Sequence, residues 1–163
     1  MSIETLPIET LPPTIQKKIN RISVAAKTIS TLYKDLSFLT LYQKMVNNNQ
    51  IFSLDDLIKE RVEFFETIAE VKHITFSLEL TPLLISMDKE KMVRIIDNLV
   101  SNAIKYNYKN GSITIQIIEH HLMIHDTGVG IPTDKLQDIF RRYTRFDEAN
   151  GGFGIGLNIV SLI

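Results

Sequence analysis

The longest regular pattern of apolar residues lies near the start of the chain, over residues 14–45. This segment contains no glycine or proline. Its apolar residues alternate spacings of four and three, the heptad pattern of a helix that packs against another helix. A helix of about 30 residues extends ~45 Å, which is longer than a small domain can cover. The pattern therefore predicts a bundle or coiled-coil partner, and one amphipathic helix packed on its own chain is the alternative. The seam consists of Ile15, Ile19, Ile22, Ala26, Ile29, Tyr33 and Leu36.

Beyond the asparagine-rich break at 47–49, short runs with strand and helix periodicity alternate. Ser53 and Asp88 each precede a helical run and have side chains that cap helix N-termini. Alternating apolar residues indicate strands, and Asn110-Gly111 indicates a turn. We predict, in chain order, a strand at 51–53, a helix at 54–72, a strand at 74–80, a helix at 89–106, and a hairpin of 113–118 and 122–124 with its turn at 119–121.

This order of elements predicts an α+β fold. It is a two-layer α/β sandwich, a mixed sheet with helices on one face, preceded by the long heptad-patterned helix. The first 13 residues repeat the pentapeptide Ile-Glu-Thr-Leu-Pro and predict a flexible lead-in.

Composition narrows the class of protein. The chain has 163 residues, 44% of them hydrophobic, and a net charge of -1, which fit a globular domain with a helical appendage. This charge does not favour nucleic acid as a partner. No stretch is long and apolar enough to cross a bilayer, so we expect no direct membrane contact. The absence of cysteine excludes disulfides and thiolate chemistry and fits a cytoplasmic location.

The helix predicted at 89–106 carries the first candidate chemistry. Asn98, Asn102, Lys105 and Tyr106 recur at spacings that place them on one face. Carboxamide oxygens are hard ligands suited to Mg²⁺, and a lysine supplies a point charge for phosphate oxygens. A plain solvated helix face explains the same spacing.

Two glycine clusters follow. The first is Asp126-Thr-Gly128-Val-Gly130-Ile131, in which glycines permit tight turns close to a ligand and the aspartate can accept a hydrogen bond from an amine. The second, at 151–157, opens an apolar helical run, and backbone amides at a helix start can bind phosphate. Between them, Phe140-Arg-Arg142-Tyr offers arginines that either clamp phosphates or solubilise a loop. An ordinary glycine turn after a strand also explains the first cluster, and neither glycine cluster alone is specific.

The order and spacing of these motifs together resemble the ATP-binding domain of sensor histidine kinases, within the superfamily shared by gyrase, Hsp90 and MutL. The resemblance extends from about Ile51 to the end of the chain, and the preceding helix resembles the second helix of the family's dimerisation bundle. It implies a lead-in at 1–13, a dimerisation-bundle helix at 14–46 and an ATP-binding catalytic domain at 50–163.

The resemblance also implies roles for the adenine and metal ends of the site. Asn102, assisted by Asn98, would bind the Mg²⁺ that bridges the ATP phosphates. Lys105 would reach a phosphate, and Tyr106 would line or stack on the adenine. Asp126 would accept a hydrogen bond from the adenine amino group. The residues expected to shape the base pocket around it are Gly128, Gly130 and Ile131.

The remaining implied roles belong to the nucleotide lid. Phe140 and Arg142 match the motif that borders it, and we expect Asn98, Lys105 and Arg142 to be the catalytic residues. The glycine-rich end of the lid and the phosphate-facing helix start would consist of Gly152, Gly154, Gly156 and Leu157.

The residue type at position 98 also helps to distinguish phosphoryl transfer from ATP hydrolysis. By resemblance, hydrolysing members of the superfamily have a glutamate at this position to activate water, and a carboxamide cannot take that proton. Phosphoryl transfer from Mg-ATP to a histidine, for relay to a response regulator, therefore fits better than hydrolysis. The resemblance further implies a homodimer through the N-terminal helix, in the cytoplasmic part of a membrane-anchored sensor kinase.

Two parts of the family pattern are missing from the sequence. No helix carries an acceptor histidine, and we expect none of the four histidines to serve as one; they are His73, His120, His121 and His125. A zinc site formed by the last three lacks an accompanying carboxylate or thiol pattern. In the family, further strands usually follow the last glycine cluster, so we expect a C-terminally truncated domain that is incomplete for autophosphorylation.

Two other functions stay open from the sequence. One is a partner-directed serine kinase of the same superfamily, which the heptad helix disfavours. The other is a degenerate, non-enzymatic interaction or dimerisation module, which the intact Asn102 and Asp126 and the glycine clusters disfavour.

Overall fold

The computed structural model describes residues 11–41, 48–141 and 154–163, which fall into two units. The first unit consists of helix α1, Pro13–Leu41, which begins at the proline pair as the sequence predicts. Its predicted continuation to about residue 45 lies outside the described residues. Along the predicted seam, large side chains are exposed: Ile22 to 68%, Ile29 to 65% and Tyr33 to 72%.

The second unit contains five strands and three helices among the described residues. In chain order they are β1 Asn49–Ser53, α2 Leu54–Glu70, β2 Thr75–Leu80, β3 Leu84–Asp88, α3 Lys89–Lys105, β4 Ser112–Ile118, β5 His121–Asp126 and α4 Gly156–Leu162, with a 3₁₀ turn at Thr133–Lys135 before α4. The predicted caps are confirmed: Ser53 Oγ accepts from the amide of Asp56, and Asp88 Oδ1 accepts from the amides of Glu90 and Lys91.

The strands form two sheets. β1 pairs antiparallel with β3, a strand that the sequence analysis did not predict. β2 pairs parallel with β4, and β4 pairs antiparallel with β5, so the three-stranded sheet is mixed, with β4 at its centre.

The hairpin turn differs from the prediction by one residue. His121 belongs to β5, opposite Ile118, so the turn consists of Glu119 and His120 alone. Both turn residues have positive φ, 49° and 67°, as a two-residue turn of type I′ requires.

The hydrophobic core lies between one face of the three-stranded sheet and the helices α2 and α3. The β4 side chains Ile113, Ile115 and Ile117 are almost completely buried in it, with Ile58 from α2 and Ile96 from α3. The opposite face of the sheet is exposed on β2 and β5 and, apart from Met123, polar there. The predicted two-layer α/β sandwich with helices on one face is therefore confirmed. This packing fixes the position of α3 against the sheet.

Candidate functional site

The first junction of the candidate site joins α3 to the start of α4. The half-buried Asn98 donates from Nδ2 to the carbonyl of Arg94, one turn earlier, at 2.9 Å. Its Oδ1 points toward Gly156, where a β-carbon would lie only 2.6 Å from that oxygen. A glycine at this position therefore lets α4 begin directly beside Asn98. Asn102 follows one turn later on α3 and is also half-buried.

The second junction joins the end of α3 to the glycine segment after β5. The amide of Val129 donates to the carbonyl of Tyr106 at 3.1 Å. A β-carbon on Gly128 would lie 2.4 Å from that carbonyl oxygen and 2.7 Å from Oδ1 of Asp126. The same Oδ1 accepts from the amide of Gly128 at 2.9 Å. The close approach therefore requires a glycine, and it places the Asp126 carboxylate beside Tyr106.

Lys105 lies at the border of this face. Its ammonium donates to the hydroxyl of Tyr106 at 2.9 Å and lies 4.5 Å from the centre of the Tyr106 ring. It also lines a groove of about 360 Å³ between α2 and α3, together with apolar side chains such as Phe65 and Ile68. This groove involves neither Asp126 nor the glycine clusters.

The other predicted residues are less closely associated with the two junctions. Gly130 and Gly154 have positive φ, 67° and 66°. Ile131 and Phe140 are exposed to 43% and 47%, and the carbonyl of Phe140 accepts from Asn158 of α4 at 2.8 Å. Leu157 is half-buried in α4. Arg142 and Gly152 lie outside the described residues.

The sequence of this site matches a known family. Residues 87–163 match the family described as histidine kinase-, DNA gyrase B-, and HSP90-like ATPase. The chain is also 28% identical to the sensor histidine kinase RppB of Synechocystis sp. over 163 residues, covering 93% of this chain and 36% of RppB. The chain carries the ATP-binding catalytic domain of a histidine kinase. It is 34% identical over 155 residues to the sensor histidine kinase TmoS of Ectopseudomonas mendocina, covering 86% of this chain and 16% of TmoS.

A solved structure of a histidine kinase agrees with this assignment. The structure of histidine kinase ThkA in complex with response regulator protein TrrA aligns with a TM-score of 0.65 and 26% identity, covering 83% of this chain and 42% of that chain. The histidine kinase domain described here thus represents a minor part of the length of these relatives. Within the described residues, none of its helices combines the length and the apolar character needed to cross a bilayer.

The structure shows a buried polar residue beside the candidate site that the sequence analysis missed. Asn107, directly after Tyr106, is 6% exposed. Its Oδ1 accepts from the amide of Tyr108 at 3.0 Å and from the hydroxyl of Thr127 at 3.1 Å, and its Nδ2 donates to the carbonyl of Ser112 at 3.0 Å. In the sequence, an asparagine after a helix is typical of an exposed turn, so no local signal distinguishes this one.

A second missed residue holds the end of α3 in the kinase domain. The ammonium of Lys72 donates to the carbonyl of Lys105 at 2.6 Å, to that of Ile104 at 3.1 Å and to that of Asn107 at 3.4 Å. These carbonyls lie at the negative end of the helix, where a cation is favourable. Lys72 therefore anchors the turn that presents Lys105 and Tyr106.

Proposed function

We propose that this chain binds Mg-ATP between α3 and the two glycine clusters. The kinase that contains it would then transfer the γ-phosphoryl group to a histidine on a bundle helix, for relay to a response regulator. The observation that carries the proposal is the pair of junctions, Tyr106 with Gly128 and Asn98 with Gly156. The two junctions lie at opposite ends of one face of α3. The separation of eight residues from Asn98 to Tyr106 corresponds to ~12 Å of helix. That length accommodates a base at one end and phosphates at the other.

Asp126 is the residue proposed to recognise the base. One carboxylate oxygen is fixed by the amide of Gly128, which orients the other oxygen to accept a hydrogen bond from the adenine amino group. The Tyr106 ring would line the base. Gly128, Gly130 and Ile131 would shape the pocket around it.

The metal and the phosphates would be held at the Asn98 end. Asn98 uses its Nδ2 on the helix backbone, so its Oδ1 is the group presented to a ligand. Two carboxamide oxygens one turn apart, from Asn98 and Asn102, fit Mg²⁺, which prefers oxygen ligands and retains several waters. When bound, the ion would neutralise charge on the phosphates. Lys105 would contribute a further positive charge.

The neighbouring glycine cluster and the arginine motif complete the proposed site. Gly154, Gly156 and Leu157 would shape the phosphate end at the start of α4, and Phe140 would border the lid. As part of this proposal, Arg142 would be a catalytic residue at the border of the lid, and Gly152 would belong to the glycine-rich end of the lid.

The reaction proposed is transfer rather than hydrolysis. The bond between the γ-phosphorus and the bridging oxygen breaks, a phosphorus–nitrogen bond forms to the acceptor imidazole, and ADP leaves. Asn98 lacks a basic oxygen to activate water, so the amide holds the nucleotide without promoting its hydrolysis. We further propose that residues 14–46 form a bundle helix that dimerises, that residues 50–163 form the catalytic domain, and that a response regulator receives the phosphoryl group, as the ThkA–TrrA complex suggests.

Calorimetric titration of the chain with a non-hydrolysable ATP analogue, with and without Mg²⁺, tests the binding proposal. We expect Mg²⁺-sensitive binding that Asp126→Asn weakens at least about 10-fold, the effect of losing one hydrogen bond to a charged group. Asp134→Asn, on the exposed 3₁₀ turn, is the matched control and should bind normally. No binding by folded protein would reject the proposal and favour an interaction module.

A second experiment tests the transfer. The chain is mixed with Mg-ATP and a separately supplied helix that bears a histidine, and acid-labile phosphate is measured on that helix. Transfer is expected. Nucleotide binding without transfer to any such helix would contradict the kinase reaction while leaving the binding site in place.

A further inference from the structure

We infer that Asn107 is a positioning residue for nucleotide selectivity: it holds the Asp126 carboxylate at a fixed place beside the end of α3. This inference rests on the proposed function, because it assigns a residue to the recognition of the base. Asn107 itself lies behind the site and is expected to act through Asp126.

The first argument is the position of the hydrogen bond between Asn107 and Thr127. Asn107 follows Tyr106, which lines the proposed base pocket, and Thr127 follows Asp126, which reads the base. The bond therefore joins the immediate neighbours of two site residues. Two residues further along, the amide of Val129 donates to the carbonyl of Tyr106. The segment directly after Asp126 is thus tied to the end of α3 on both sides of Gly128.

The second argument is that β4 joins the same network. The carbonyl of Ser112 accepts from Asn107 Nδ2 at 3.0 Å and from the amide of Thr127 at 3.2 Å, and the amide of Ser112 donates to the hydroxyl of Thr127 at 2.9 Å. One carboxamide therefore connects three segments: the end of α3, the start of β4 and the segment after β5. Because Asn107 uses both ends of its amide, no shorter or purely apolar side chain can make all of these bonds.

The third argument is the tight packing around the amide. A β-carbon on Gly111 would lie 2.2 Å from Oδ1 of Asn107 and 2.8 Å from the hydroxyl of Thr127. The side chain is 6% exposed, so water cannot readily replace a lost partner. Loss of the amide would release the segment that carries Asp126 and allow the carboxylate to shift. A shift of even about 1 Å is enough to weaken a positioned contact.

The ratio of the affinities for ADP and IDP distinguishes a positioning role of Asn107 from a purely stabilising one. IDP has a carbonyl oxygen where ADP has the amino group, so an oriented carboxylate binds ADP and repels IDP. We expect the wild-type chain to bind ADP on the order of 10- to 100-fold more tightly than IDP, which is the range for one hydrogen bond to a charged group. A residue that only stabilises the fold would change the folded fraction, which lowers both affinities equally and leaves their ratio unchanged.

The experiment measures dissociation constants for Mg-ADP and Mg-IDP by calorimetry on the full chain and its variants. Asn107→Ala removes the carboxamide, and Thr127→Val removes only the hydroxyl that binds it while keeping the side-chain shape. In both variants we expect the affinities for ADP and IDP to differ by no more than a few-fold. Thr127→Ser, which retains the hydroxyl, should keep the wild-type preference. Thermal unfolding establishes that each protein is folded at the temperature of the titration.

Thr81→Val is the matched control. Thr81 donates its hydroxyl to the carbonyl of Ile117 at 2.9 Å, at the other end of β4, so this variant also removes one threonine hydroxyl bound to that strand. It should keep the wild-type preference for ADP.

The outcomes distinguish this inference from the proposed function. A wild-type chain that binds neither nucleotide, or binds both equally, would contradict the proposed role of Asp126 and with it this inference. A wild-type preference for ADP that survives in Asn107→Ala or, where that variant is unfolded, in Thr127→Val would overturn the inference alone.

Discussion

Gly128 makes the closest approach to a backbone atom in the candidate site. A β-carbon there would lie 2.4 Å from the backbone oxygen of Tyr106, and a backbone atom cannot move aside as a flexible side chain can. We expect Gly128→Ala to lower the free energy of unfolding by about 1–3 kcal/mol, the usual cost of overpacking, and to abolish detectable nucleotide binding. Urea unfolding and calorimetry measure the two effects.

Gly130→Ala is the comparison for that variant. No atom lies within 4 Å of the place of a β-carbon on Gly130, but its φ is +67°. The expected cost is therefore about 1–2 kcal/mol from backbone conformation alone. A Gly128→Ala protein that is as stable as Gly130→Ala and still binds nucleotide would show that the contact with Tyr106 is not needed.

Individual residues differ in how well the sequence reveals their roles. Asn98, Asp126 and the glycines are indicated by motif order, because few other reasons bring these residue types together. The role inferred for Asn107 rests on its burial. Burial of one amide depends on the partners Ser112 and Thr127, which are distant in the sequence. No local pattern contains that information.

The ion pair between Arg61 and Asp97 connects α2 to α3 next to Asn98. Arg61 donates from Nε and Nη2 to the two carboxylate oxygens at 2.7 and 3.0 Å, with side-chain exposures of 14% and 32%, and its guanidinium lies 4.5 Å from the Phe64 ring centre. Because the pair is bidentate and mostly buried, we expect Asp97→Asn to lower the free energy of unfolding by about 1–3 kcal/mol.

The control for this pair is Asp56→Asn. Asp56 binds Lys59 on the surface of α2 with 73% side-chain exposure, and such pairs contribute about 0–1 kcal/mol. Denaturant unfolding of the two variants gives the comparison. Equal losses of stability would mean that the Arg61–Asp97 pair does not hold the two helices together.

Asp55 links the start of α2 to the segment before β3. The hydroxyl of Ser53, then the amide of Leu83, hold the pKa of its carboxyl at about 2, below the ordinary 3.8. A carboxyl group whose pKa is lowered in the folded state stabilises that state at any pH above its ordinary pKa. This stabilisation is lost as the pH falls from about 4 to 2. We expect Asp55→Asn to be less stable than wild type at pH 7.

The acid dependence tests this explanation of Asp55. The free energy of unfolding, measured by urea between pH 2 and 7, should fall less steeply below pH 4 in Asp55→Asn than in wild type. Parallel curves would show that another carboxyl group causes the acid dependence.

The elements themselves were mostly predictable from the sequence. Helix starts were found because Ser53 and Asp88 act locally as caps. β3 was missed because it is short and its partner, β1, precedes it by a whole helix and strand, so its pairing leaves no local trace. The hairpin turn was predicted one residue too long because positive φ at Glu119 and His120 is uncommon without glycine.

Helix α1 governs the expected assembly of the whole chain. Its seam residues Ile22 and Ile29 are 68% and 65% exposed, and a heptad seam is buried by a second helix. We propose that the chain self-associates through this seam. Replacing both isoleucines by aspartate should shift the protein to monomers in sedimentation equilibrium. Lys17→Asp, at an exposed position on the side of the helix away from the seam, should leave the association unchanged. A wild-type chain that stays monomeric at high concentration would contradict this proposal.

The parallel pairing of β2 with β4 has a consequence for local unfolding. It places Thr75 opposite Ser112, with β3 and α3 between them in the chain, whereas β4, β5 and the end of α3 are neighbours in sequence. Contacts between distant segments form late and can be lost first, because closing a long loop costs entropy. We therefore expect β2 to detach and expose its amides to hydrogen exchange while the proposed base end of the site stays assembled.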